Sequence, residues 1–204
     1  MILHAHPFSS YVQKVTIAFY ETDTPFEWHM IEGAGDFDAL KRLWPIGLMP
    51  VLADGATTMA ESSIIIEHVA PRLIPSLEVR FLDRFFDNYV MTPMQKMVGD
   101  CLRPAGERDP RGVADARARL EVSYGWLDGR IKDRQWAAGD SFTMADCAAA
   151  PSLFFADWVH PIAERFAATR DYRARLLKRP SVARAADEAR PYRKYFPPGA
   201  PDSD

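Results

Sequence analysis

The apolar residues of this chain change their spacing close to residue 74, and this change limits the fold more than any other feature. Before it, short apolar runs alternate with segments in which apolar residues recur every three or four positions. After it, only the helical spacing is present. Pro71 and Pro75 separate the two halves. The pattern predicts a domain of mixed strands and helices over residues 1–74 and an all-helical domain over residues 77–195.

The first half is predicted to be a small mixed α/β domain with helices on the faces of its sheet. Its elements alternate in type along the chain. In order, they are a strand at Ile2–Ala5, a helix at Ser10–Glu21, a strand at Phe26–Ile31, a helix at Asp36–Leu43, a hairpin at Val51–Met59 and a helix at Ile64–Val69.

The second half is predicted to be helical throughout, apart from a flexible tail over residues 196–204. The tail is rich in proline and lacks an apolar period. Pro93 lies inside the first long helix and should kink or reorganise it. The predicted helices span Leu77–Leu102, Val113–Asp133, Met144–Val159 and Asp171–Lys178.

One helix start in the second half is well specified. Thr143 and Asp146 have the spacing of a capping box, in which each side chain binds the backbone of the other residue. The helix that follows is apolar on most faces and should be the buried centre of its domain. This motif predicts architecture and no chemistry.

Composition and charge exclude several classes of protein. Of the 204 residues, 48% are apolar and 12% are aromatic, which is typical of a folded globular chain. The net charge of −3 gives no overall attraction for nucleic acid or anionic membranes, and no apolar run has the length of a membrane span. Two widely separated cysteines predict neither a disulfide framework nor a metal cluster. We therefore expect a cytoplasmic protein with no metal and with no nucleic-acid or membrane partner.

The segment GLMPVLADGATTMAESSIIIE sets a proline before a strand and a Glu-Ser-Ser triplet before a helix. Pro50 has no N–H, so the backbone of Met49 could face a ligand. Glu61 could bind an ammonium group, while the Ser62 hydroxyl and the N–H groups of the first helical turn could bind a carboxylate. These groups predict a site for a small peptide. Alternatively, Thr58 and Glu61 form a capping box, and Glu61 only satisfies backbone donors.

Four motifs make the chain resemble the glutathione transferase family, in the family's order and across nearly the whole chain. They are HPFSSYVQKVTIAF, WPIGLMPVL, MAESSIIIEHV and GDSFTMADCAAAP. The resemblance implies a thioredoxin-like N-terminal domain followed by an all-helical C-terminal domain, which agrees with the two halves described above. It also implies that the chain binds glutathione.

The resemblance assigns roles to particular residues. Pro50 would follow a cis peptide bond, and the backbone of Met49 would pair with the cysteinyl part of glutathione. Glu61 and Ser62 would hold its γ-glutamyl end. The family's catalytic position lies at the end of the first strand, just before the first helix and six residues before Val15. It falls on Ser9, with Ser10 as a competitor. Because Ser10 and Gln13 have the spacing of a capping box, Ser10 is expected to have a structural role, which favours Ser9.

A serine at this position implies conjugation rather than thiol–disulfide exchange. Its hydroxyl would donate a hydrogen bond to the glutathione thiolate, which would attack a small apolar electrophile, as in detoxification. The resemblance also implies a homodimer. Two alternatives remain: an interaction module without catalysis, and a specialised glutathione-dependent dehalogenase, peroxidase or isomerase.

Two further parts of the site are predicted less directly. The glycyl carboxylate of glutathione lacks an obvious partner because Leu48 stands where many family members have a polar residue, which leaves Lys41 or Arg42 as candidates. The second-substrate pocket is expected between the domains. Its candidate lining residues are Phe8, Tyr11, Met94 and Met97.

Overall fold

The computed structural model describes residues 1–202 and contains a four-stranded mixed sheet in the first half of the chain. The strands lie in the order β2, β1, β3, β4. Strand β1 is parallel to β2 and antiparallel to β3, and β3 is antiparallel to β4. The strands are β1 (Ile2–Ala5), β2 (Glu27–Met30), β3 (Val51–Asp54) and β4 (Thr57–Ala60).

The register of the two central strands determines where the site forms. His4 of β1 lies opposite Val51 of β3. Because these strands run in opposite directions, the residues that leave the end of β1 lie beside those that enter β3. The loop of residues 6–9 is therefore brought next to Met49 and Pro50.

Three helices accompany the sheet, and the first is its main packing partner. They are α1 (Ser10–Glu21), α2 (Ala34–Leu43) and α3 (Ser62–Val69). Helix α1 places Val15 and Phe19 in a core shared with Leu3 and Leu52 of the sheet. The same helix packs against the second half of the chain, so one continuous core joins both halves.

The second half is helical. Its helices are α4 (Leu77–Phe85), α5 (Thr92–Cys101), α6 (Pro110–Ile131), α7 (Met144–Val159), α8 (Ala167–Leu177) and α9 (Pro180–Ala189), followed by a 3₁₀ segment at Arg190–Tyr195. Helix α9 is absent from the sequence prediction. It begins with Pro180 at its first position, where a proline needs no partner for its missing N–H.

The expected disturbance at Pro93 is confirmed, and it takes the form of a π-helical turn. A single helix was predicted over Leu77–Leu102, but a π turn at Phe86–Met91 separates α4 from α5. Proline cannot donate the backbone hydrogen bond of a regular helix and collides with the preceding turn. The hydroxyl of Thr92 instead donates to the carbonyl of Asp87 at 3.0 Å.

The predicted capping box at α7 is confirmed. The Thr143 backbone N–H donates to Asp146 at 2.8 Å, and Asp146 is fully buried. The same carboxylate accepts hydrogen bonds from the Ala137 N–H at 2.8 Å and from the Tyr172 hydroxyl at 2.6 Å. Helix α7 is buried along most of its length, as expected.

Phe196, where a flexible tail was predicted to begin, is instead buried. Its ring lies 5.1 Å from that of Trp158 and 6.0 Å from that of Phe155. The last part of the predicted tail, residues 203–204, lies outside the described residues. Among residues 1–202, no helix is both long enough and apolar enough to cross a bilayer. The mixed sheet domain and the helical domain confirm the expected fold class, a thioredoxin-like N-terminal domain with an all-helical C-terminal domain.

Candidate functional site

All five residues predicted to form the site line a single cavity of about 570 Å³, which we call the interdomain cavity. Ser9 comes from the loop after β1, Met49 and Pro50 from the entrance to β3, and Glu61 and Ser62 from the start of α3. The other residues that line the cavity are Tyr11, Phe37, Trp44, Gly47, Leu48, Arg84, Asp87, Asn88 and Gln95.

The peptide bond between Met49 and Pro50 is cis, as the family resemblance implied. Pro50 is buried, whereas Met49 is half-buried at the cavity wall. The sheet pairing of β3 begins one residue later, at Val51. The backbone N–H and C=O of Met49 make no hydrogen bond to the described part of the chain, so they remain available to a ligand backbone.

Glu61 has the only strained backbone among the predicted site residues. Its φ of 71° lies in the left-handed region, which costs a residue with a side chain about 1–2 kcal/mol. The capping-box alternative for Glu61 is wrong, because Thr58 pairs within the sheet and Glu61 makes no capping bond through its side chain. The exposed carboxylate of Glu61 and the buried Ser62 lie side by side at the start of α3.

Arg84 and Asp87 of the helical domain line the cavity together with Glu61 and Ser62. Arg84 of α4 donates to Asp83 and to Asp87, each at 2.7 Å. Burial alone would lower the pKa of Arg84, but the carboxylates of Asp83, Asp87 and Glu61 together raise it. The cavity therefore presents a guanidinium and carboxylates at one end, which suits a zwitterionic head group.

Arg84 and Asp87 belong to a group of charged and polar side chains that joins the two domains and is buried except for Arg84, which is about half exposed. We call it the ionic cluster: Lys14, Ser63, Asp83, Arg84 and Asp87. Lys14 of α1 lies 2.6 Å from Asp83, 2.8 Å from Asp87 and 2.9 Å from the Ser63 hydroxyl. Ser63 in turn donates to Asp83 at 2.8 Å. Burial raises the pKa of Asp87, and Lys14 opposes this rise. The two cations and two carboxylates balance in charge.

Ser9 is the N-cap of α1, and this corrects the capping prediction made for Ser10. Ser10 is the first residue inside the helix and is buried, while the amide of Gln13 donates to the Pro7 carbonyl at 3.1 Å. The Ser10–Gln13 capping box is therefore absent. The Ser9 side chain makes no capping bond, so its hydroxyl is free to meet a ligand.

A second cavity, of about 350 Å³, also has Ser9 in its wall, and we call it the apolar cavity. Phe8 and Met94 line it, as predicted for a second-substrate pocket. Tyr11 lines the interdomain cavity instead, and Met97 is buried in the core. Burial raises the pKa of Tyr11 to about 12, so its phenol stays protonated at neutral pH.

Trp44, Gly47 and Leu48 also line the interdomain cavity. The carbon chain of Lys41 packs over Gly47, where a Cβ atom would lie only 3.1 Å from the Lys41 Cγ. Gly47 also has a φ of 71°, so a side chain there would be strained as well as crowded. This contact holds the stem of Lys41 at the rim of the cavity.

Comparisons with known proteins agree with this geometry. Residues 3–72 match the model of the glutathione S-transferase N-terminal domain, and residues 88–180 match that of the C-terminal domain. A glutathione S-transferase of Methylobacterium radiotolerans, solved in complex with glutathione sulfonate, superposes with a TM-score of 0.78 at 26% identity, covering 90% of this chain and 93% of that one.

Of two sequence relatives, one is named after its location and the other after an enzyme activity. The chain is 26% identical over 202 residues to FtsZ-localized protein A of Caulobacter vibrioides, covering 87% of each chain. It is 27% identical over 180 residues to a glutathione S-transferase of Hyoscyamus muticus, covering 75% of this chain and 81% of the relative. Both domain models match in order and together span most of the chain. The chain therefore belongs to the glutathione S-transferase family.

Proposed function

We propose that this protein is a cytoplasmic glutathione transferase that conjugates the glutathione thiolate to small apolar electrophiles, and that it serves in detoxification. The Ser9 hydroxyl donates a hydrogen bond to the thiolate. The observation that supports this most directly is the position of Ser9, which lines both the interdomain cavity and the apolar cavity. Both cysteines are free thiols, which suits a reducing compartment.

The chemistry follows from the pKa of the thiol. A free cysteine thiol, with a pKa of about 8.5, is only a few per cent ionised at neutral pH. A hydrogen bond to the charged thiolate, worth about 1.5–3 kcal/mol, would lower this pKa by one to two units. The released proton passes to solvent. The thiolate sulfur then forms a bond to the electrophilic carbon, and a leaving group departs with its electron pair or the pair moves onto a conjugated acceptor.

Glutathione fits the interdomain cavity in one orientation. Its γ-glutamyl ammonium group pairs with Glu61, and its γ-glutamyl carboxylate takes the Ser62 hydroxyl and the N–H groups at the start of α3, with Arg84 nearby. The free backbone groups of Met49 pair with the cysteinyl residue next to Pro50. The glycyl carboxylate then lies toward Lys41, whose position over Gly47 favours it over Arg42 as the partner.

The test combines glutathione binding by calorimetry with turnover of chlorodinitrobenzene. We expect Ser9→Ala to bind glutathione but to lose about 10- to 100-fold in kcat/KM, the factor for one hydrogen bond to a charged group. The apparent pKa of kcat/KM should rise in the same variant. We expect Ser10→Ala and Tyr11→Phe to lose much less. A loss confined to Ser10→Ala or Tyr11→Phe would move the role to that residue, and no glutathione binding at millimolar concentration would refute the proposed function.

We also propose that the protein is a homodimer, as is typical of the family. An exposed apolar surface supports this: Leu77, Phe81 and Tyr89 recur at four- and eight-residue spacing, and Leu77 is 82% exposed. The ring of Trp126 on α6 lies 5.8 Å from that of Phe81 and extends the surface. Surfaces of this kind usually mark interfaces. Analytical ultracentrifugation should give a dimer for the wild type and a monomer for Phe81→Lys.

A second candidate function is an interaction module without catalysis. It is favoured by one observation, the similarity over 87% of the chain to FtsZ-localized protein A, whose name describes a location and not a reaction. A purely structural role gives no reason for Ser9, Glu61 and Arg84 to share one cavity. Glutathione binding together with turnover would exclude this candidate. A dehalogenase, peroxidase or isomerase activity would use the same glutathione site and differ only in the second substrate.

A further inference from the structure

Two residues lie where glutathione and the second substrate would meet, if the proposed function holds. Among the residues that line the interdomain cavity and the apolar cavity, Ser9 and Gln95 belong to both. Ser9 precedes α1 of the first domain, and Gln95 lies on α5 of the second. The two residues therefore flank the junction at which a thiol in one cavity would meet an electrophile in the other.

The side chain of Gln95 is free to bind a ligand. It is exposed, and it makes no hydrogen bond to any residue within the described range 1–202. A neutral amide offers two N–H donors and one carbonyl acceptor. By contrast, the glutamine on α1, Gln13, is buried and donates to the Pro7 carbonyl. Gln95 is thus an unengaged donor at the point where reaction would occur.

The apolar cavity limits what can occupy it. Its walls are mainly aromatic and aliphatic, and they include Phe8, Phe155, Phe196 and Val98. The rings of Phe8 and Phe155 lie 5.6 Å apart and meet edge to face, so they present flat ring surfaces. No charged side chain lines this cavity in the described part of the chain. A charged substrate would lose its hydration without gaining a partner, so an uncharged aromatic compound fits best.

The chemistry of addition gives the amide a role. When a thiolate sulfur bonds to a carbon conjugated to a carbonyl or nitro group, the displaced electron pair moves onto an oxygen of that group. An N–H donor stabilises this developing charge more than it stabilises the uncharged reactant, and so it accelerates the step. The oxygen later takes a proton from water, or returns the electron pair as a leaving group departs. A benzyl halide develops no such charge on oxygen.

We propose that Gln95 is a catalytic residue that donates a hydrogen bond to the electrophile when its reacting carbon is conjugated to an oxygen acceptor. Conjugated aryl enones and nitroaryl halides have such an acceptor. Benzyl halides share the aromatic ring but lack the acceptor.

The test compares two uncharged electrophiles, 4-phenyl-3-buten-2-one and benzyl chloride, in wild type and in Gln95→Leu. Leucine is a good helix former, so this exposed substitution should leave α5 intact. We expect kcat/KM for the enone to fall about tenfold, as for the loss of one hydrogen bond, and that for benzyl chloride to change less than about twofold. The matched control Gln135→Leu, a substitution at an exposed glutamine that lines neither cavity, should leave both values unchanged.

Glutathione binding, measured by calorimetry, separates this inference from the function on which it rests. We expect Gln95→Leu to bind glutathione about as well as the wild type. Equal losses for both electrophiles, or no loss for the enone, would overturn the role of Gln95. A wild type that binds glutathione but turns over neither compound would also overturn the role of Gln95. A wild type that does not bind glutathione would refute the proposed function instead.

Discussion

Replacing Lys14 by methionine should destabilise the protein strongly, because Lys14 neutralises carboxylates that have almost no access to water. Its side chain is 1% exposed, and its ammonium group lies within 3 Å of Asp83, Asp87 and the Ser63 hydroxyl. Methionine fills a similar volume but removes all three contacts. Arg84 remains and compensates only part of the charge.

The size of the loss can be bounded from measured cases. Removing one partner from a buried ion pair typically costs about 3–5 kcal/mol, because an uncompensated charge stays buried. The total stability of a folded domain is about 5–15 kcal/mol, so Lys14→Met should remove a third or more of it. We expect a correspondingly lower urea midpoint. Arg111→Met is the control, since Arg111 and Asp115 form an exposed pair, and its midpoint should not change measurably.

The loss of stability in Lys14→Met should depend on pH, and the pKa of Asp87 determines the direction. Burial raises the pKa of Asp87, so the folded chain binds a proton there more readily than the unfolded chain, and acidification favours folding at this residue. Without Lys14 this pKa rises further. The loss of stability in Lys14→Met should therefore be largest near neutral pH. It should shrink as the pH falls toward the pKa of the Asp87 carboxyl group.

Two results would refute this reasoning. One is a loss in Lys14→Met below about 1 kcal/mol at neutral pH, the value expected for an exposed pair. The other is a loss that grows on acidification. A partial rescue is expected in the double variant Lys14→Met with Asp83→Asn, since it removes one of the two carboxylates left without a counterion.

Three further predictions concern other parts of the chain. Asp146→Ala should lower the free energy of unfolding by about 3 kcal/mol or more, because several buried donors lose their acceptor, and Asp146→Asn should cost less in the same urea titration. Glu61→Gly should be more stable than Glu61→Ala by about 1 kcal/mol, because only glycine tolerates the positive φ without strain, and equal thermal midpoints would contradict this. Phe196→Ala should raise the KM for an apolar electrophile about two- to tenfold, as for a lost aromatic contact, while the glutathione Kd stays unchanged.

The local motifs predicted much of the site, whereas its contacts between domains could not be read from the sequence. Met49, Pro50, Glu61 and Ser62 belong to one short segment whose turn and helix start are encoded locally. Arg84 lies on the next domain and reaches the cavity only because α4 docks against α1 and α3. A spacing pattern contains no information about such docking.

One of the two predicted helix-capping boxes is present and the other is absent, for a physical reason. Thr143 and Asp146 form the predicted box because the chain enters α7 with Thr143 in an extended conformation. The same spacing at Ser10 and Gln13 failed, since the extended residue there is Ser9 and the helix has already begun at Ser10. The spacing of side chains alone therefore does not determine which residue is the N-cap.

The π turn at Phe86–Met91 sets the rotational phase of α5. A π turn takes up more residues than an α-helical turn, and each additional residue rotates all that follows by about 100°. Removing one residue from this turn would leave Arg84 where it is but would rotate Gln95 away from Ser9. The π turn thus determines which side chains of α5 face the reacting atoms, although it lies several residues before them in the chain.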